Sequence, residues 1–112
     1  MLFLCNTITN FHKFRELFHK TYEGKHSIDL SKVSVSELAD QSDSVLNHHK
    51  ECAIFLGYLE PGWMLENTAQ TRMRKLFRKF DVWLVTEYVD SLPFAWKSEI
   101  ETVFQFHENE KK

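Results

Sequence analysis

The sequence predicts an all-α fold, a compact bundle of four or five helices with a short extended segment at the N-terminus. Three observations carry that expectation. From Met64 to Val89 no Gly or Pro interrupts the chain, and Leu65, Ala69, Met73, Leu76, Phe77, Phe80, Trp83, Leu84 and Tyr88 share one face at the helical period. A second run, Val35, Leu38, Ala39, Ser42, Val45, Leu46, His49, Cys52, Ala53, Leu56 and Leu59, follows a near-heptad pattern. With three Gly and two Pro, the chain has few obligatory turns, which argues against an all-β domain of many short strands.

Taken in order, Met1–Cys5 is apolar and reads either as a short strand or as a leading turn. Asn6 or Thr7 can cap a first helix running to about Glu23, in which Ile8, Phe11, Phe14, Leu17, Phe18 and Tyr22 share a face. Gly24 suits the position just past its end, and Lys20 and Lys25 sit where the helix dipole favours cations. Residues 25–32 read as a loop. Ser34-Val35-Ser36-Glu37 is a capping box, with Val33 and Leu38 placed as a hydrophobic staple, and it starts the second helix of about 20–25 residues. Gly57 can end that helix early, and Glu60-Pro61-Gly62 turns the chain.

The third helix is the Met64–Val89 stretch. Behind Trp83 and Leu84 its opposite face is also apolar, through Val82, Val85 and Val89, so this half needs cover on both sides. The segment Val82–Val89 is β-branched enough to pass for a strand, but the continuous face favours helix. Pro93 suits the first turn of a fourth helix, striped by Trp96, Ile100, Val103, Phe104 and His107. The tail from Glu108 should fray. At 112 residues the chain fits one domain, 1–112.

The formal net charge of −2 gives no global attraction to nucleic acid or membrane. Its distribution is uneven. Arg72, Arg74, Lys75, Arg78 and Lys79 fall within eight residues that hold no acidic group, whereas residues 81–112 carry seven acidic against three basic. Cys5 and Cys52 form no recognised spacing, which favours two free thiols in a reducing compartment and so a cytoplasmic protein. No apolar run approaches membrane-spanning length.

Catalytic and metal chemistry find little support. His12, Glu16, His19 and Glu23 form one helical stripe, and Glu16-x-x-His19 has the spacing of di-iron bundles. The matching Glu-x-x-His on a second helix is missing, because Glu23-x-x-His26 straddles Gly24. His48 and His49 point about 100° apart on a helix and cannot share an ion. Cys52, one turn from His48, sits in the heptad stripe rather than in the exposed, electropositive setting a thiolate nucleophile needs. Arg15 and His19 are too close for the Arg–His motif of HEPN-type helical ribonucleases. No Gly-rich phosphate loop or nucleophile elbow occurs. No enzyme, cofactor or metal is therefore expected.

What remains is surface. The expected function is a non-enzymatic, inhibitory protein of the immunity or antitoxin type, which neutralises a toxin such as a nuclease through complementary charge and aromatic groups. Asp40 and Asp43 stand for the acidic face, and Arg72, Arg74, Lys75, Arg78 and Lys79 for the basic one. Trp63, after Pro61-Gly62, is a large aromatic that either caps a helix end or meets the partner. Phe94 lies off the stripe of its helix and poses the same choice. Two alternatives remain open: a nucleic-acid or regulatory adaptor using the Arg72–Lys79 face, and a helical metalloprotein built on His12, Glu16 and His19.

Overall fold

Leu2-Phe3-Leu4-Cys5 is a strand, β1, and it lies inside a sheet rather than at its margin. The computed structural model describes residues 1–32, 35–48, 50–58, 67–87 and 89–104. After β1 (Leu2–Cys5) come a 3-10 turn at Ile8–Asn10, α1 (Phe11–Thr21), β2 (Ser27–Asp29) and α2 (Val35–His48). These are followed by β3 (Ala53–Tyr58), α3 (Asn67–Lys79) and β4 (Asp81–Val85). A 3-10 turn at Val89–Ser91, the single-turn helix α4 (Phe94–Lys97) and β5 (Ile100–Phe104) complete the chain. The five strands form one sheet in the order β2-β3-β4-β1-β5, and every pairing is parallel.

The all-α bundle is thereby overturned: the fold is α/β. The errors at β3 and β4 share one cause. The second half of the expected second helix holds β3, the second half of the Met64–Val89 helix holds β4, and the expected fourth helix is helical only over Phe94–Lys97 before Ile100–Phe104 forms the edge strand β5. Interior strands of a parallel sheet are covered on both faces, so they read as continuous apolar runs. Such runs also satisfy a helical stripe. The cover on both sides that Val82–Val85 demanded is real, but helices on two faces of a sheet supply it. Phe80 alone separates α3 from β4, so no Gly or Pro marks the change.

Alternation along the strands sorts the core into two layers. Leu2, Leu4, Ile54, Leu56, Val82 and Leu84 face α2, α3 and α4, meeting Val45, Met73, Leu76, Phe77 and Trp96. Cys5, Ala53, Phe55, Trp83 and Val85 face α1, where Phe14 and Phe18 are fully buried. Right-handed crossovers explain the split. The β1–β2 connection runs towards one edge of the sheet and carries α1, while the other three run the opposite way and carry their helices on the opposite face.

Two glycines have left-handed backbones, both with φ of 76°. Gly24 closes the end of α1 near its expected place. Gly57, expected to break a helix, instead follows a bulge in β3, where the pairing jumps from Phe55↔Trp83 to Gly57↔Leu84. The extra residue returns Tyr58 to the α1 side. The backbone of Gly57 passes so close to Ser31 that an added Cβ would lie 2.7 Å from the Ser31 Cβ. The α2 helix begins at Val35, but Ser34 and Val33 of the expected cap and staple lie outside the described residues.

Candidate functional site

Adjacent strands whose outgoing connections leave on opposite faces open a crevice at their carboxyl ends. Here β1 leads to α1 on one face and β4 leads to α4 on the other, and the two strands are still joined where the Thr86 N–H donates to the Cys5 carbonyl at 3.0 Å. The buried polar side chains among the described residues, Asn10 and Thr86, belong to the segments that leave these two strands. Thr7 organises the first segment: its hydroxyl oxygen accepts from the Thr9 N–H at 3.3 Å and meets the Thr9 hydroxyl at 2.8 Å. Burial pushes the Cys5 thiol above its usual range, and its contact with the Thr7 carbonyl offsets only part of that. The group therefore stays a neutral thiol. The arrangement offers hydrogen bonds, not an activated nucleophile.

The connection leaving β4 also carries the most conspicuous surface feature. Phe94 is 89 % exposed, although α4, which presents it, is firmly seated. Two residues on, Trp96 is completely buried and meets Phe77 edge-to-face with centroids 4.9 Å apart. Lys97 Nζ donates to the Asp90 carbonyl at 2.9 Å, which ties the helix to the preceding 3-10 turn. Glu87 and Asp90 on the same connection are exposed, as is Glu101 on β5. Since Trp96 must point inward, the turn leaves Phe94 outward. The result is a fixed aromatic group on an acidic stretch of chain.

The basic helix face is not a free array of cations. Arg74 and Arg78 both approach Glu99, with Nε to Oε2 separations of 3.9 and 3.3 Å. Lys79 Nζ donates to the Leu46 carbonyl at 2.7 Å and lies 5.2 Å from the Phe80 ring centroid. Lys75 is exposed, and Arg72 lies on α3 with its side chain outside the description. Glu99, which immediately precedes β5, is what sequence reading could not bring here, because its approach depends on β5 pairing with β1. Asp40 is exposed on α2; Asp43 lies on the same helix, but its side chain is not described. Trp63 lies outside the described residues.

On α1, His12, Glu16 and His19 are exposed, and His19 Nε2 is 3.9 Å from the Asp29 carboxylate. The stronger partner of Asp29 is Arg15, whose Nε and Nη2 both lie 2.9 Å from Oδ2. Burial would raise the Asp29 pKa, but hydrogen bonds from the Ser31 hydroxyl and N–H, with the charge of Arg15, outweigh it and hold the carboxyl below its usual range. Arg15 thereby ties α1 to the edge strand β2. Among the described residues no three His, Cys, Asp or Glu side chains gather as a metal site. His48 bonds within its own helix, its Nδ1 lying 2.7 Å from the Ser44 carbonyl oxygen, and His49 lies outside the described residues. Among the described residues no helix is long and apolar enough to cross a membrane.

Comparison with protein-family models, with curated proteins and with solved structures finds no match for this chain.

Proposed function

We propose that this chain is a non-enzymatic binding protein that engages one protein partner through the β4–β5 connection, with Phe94 as the anchor. The observation that supports this reading is the 89 % exposure of Phe94 on a turn held in place by the buried Trp96. An exposed large aromatic loses little conformational freedom on docking when its backbone is already fixed, and such residues dominate interface energetics. Glu87 and Asp90, exposed on the same connection, add negative charge to this stretch of chain, which suits a basic partner. A toxin such as a nuclease, held inactive by an immunity- or antitoxin-type protein, fits this chemistry. Both cysteines are free and buried, in keeping with a reducing compartment such as the cytoplasm.

The nucleic-acid reading has less support, because Arg74 and Arg78 face Glu99 instead of standing clear for phosphates. Association kinetics test the acidic-surface version. With the partner recovered by affinity capture under nuclease treatment, Glu87→Lys with Asp90→Lys should slow association roughly tenfold at low salt and lose that effect as salt rises. The pair Asp40→Lys and Asp43→Lys asks the same of α2. On-rates unchanged in both double variants would defeat the acidic-surface reading.

A further inference from the structure

We draw no further inference here: the strongest candidate, the outer edge of the sheet along β5, where Val103 is exposed and no strand but β1 pairs among the described residues, carries nothing, because nothing in the structure shows what covers it.

Discussion

Trp96 and Phe77 meet edge-to-face at 4.9 Å, both with no exposed surface, and this contact fixes the turn that turns Phe94 outward. The two aromatic residues of α4 therefore have opposite roles. Trp96→Ala should cost about 3–5 kcal/mol, the range for emptying a buried large aromatic site. Phe94→Ala should change stability by no more than about 0.5 kcal/mol, as for other surface substitutions. Urea denaturation of the two variants beside the wild type separates them.

Gly57 and Gly24 share a φ of 76° but differ in their surroundings. A Cβ at Gly24 meets nothing within 4 Å, whereas at Gly57 it collides with Ser31. Gly24→Ala should cost about 1–2 kcal/mol, the cost of a left-handed backbone for an L-residue. Gly57→Ala should cost more, because Ser31 and the β2–α2 connection must also move. Equal midpoints in chemical denaturation would show that the close approach of these two segments is unimportant.

Asp29 links acid stability to the α1–β2 contact. Its folded pKa is depressed, so its contribution is present above the unfolded value of about 3.9 and is lost as pH falls through the folded value. Asp29→Asn should lower stability at pH 7 and flatten the fall in stability below about pH 4. Arg15→Ala should share the direction with a smaller effect, about 1 kcal/mol or less, since the pair is partly solvent-screened. Denaturation midpoints from pH 2 to 7 measure both.

Tyr22 acts at the other end of the pH range. Its folded pKa is raised to about 12, chiefly by burial, so its contribution is complete below the unfolded value and declines as pH rises through the folded one. Ultraviolet titration should show the Tyr22 phenol ionising late, and Tyr22→Phe should remove that step. The same substitution leaves the Trp83 indole N–H without its acceptor, at a cost of about 1–3 kcal/mol.

The sequence made some elements readable and concealed others for physical reasons. The first helix was legible because Phe14 and Phe18 alternate with charged groups at the helical period, and a single covered face produces that signal. The α3 helix was legible in its middle for the same reason. Residues 53–58 and 81–85 are not legible as strands because strands covered on both faces have no polar side to reveal a period of two. Met1–Cys5 is too short to distinguish strand from turn by itself, since its centrality depends on pairings with residues about 80 and 100 positions away. Phe94 was legible as a residue off its stripe.

The most direct test of the proposed function is quantitative affinity capture from the native source, with nuclease present, comparing the tagged wild type with Phe94→Ala. The account predicts one protein recovered in near-equal amount with the wild type and strongly depleted with Phe94→Ala, while both baits show the same thermal unfolding midpoint. Recovery of the same protein in equal amount by both baits would contradict it.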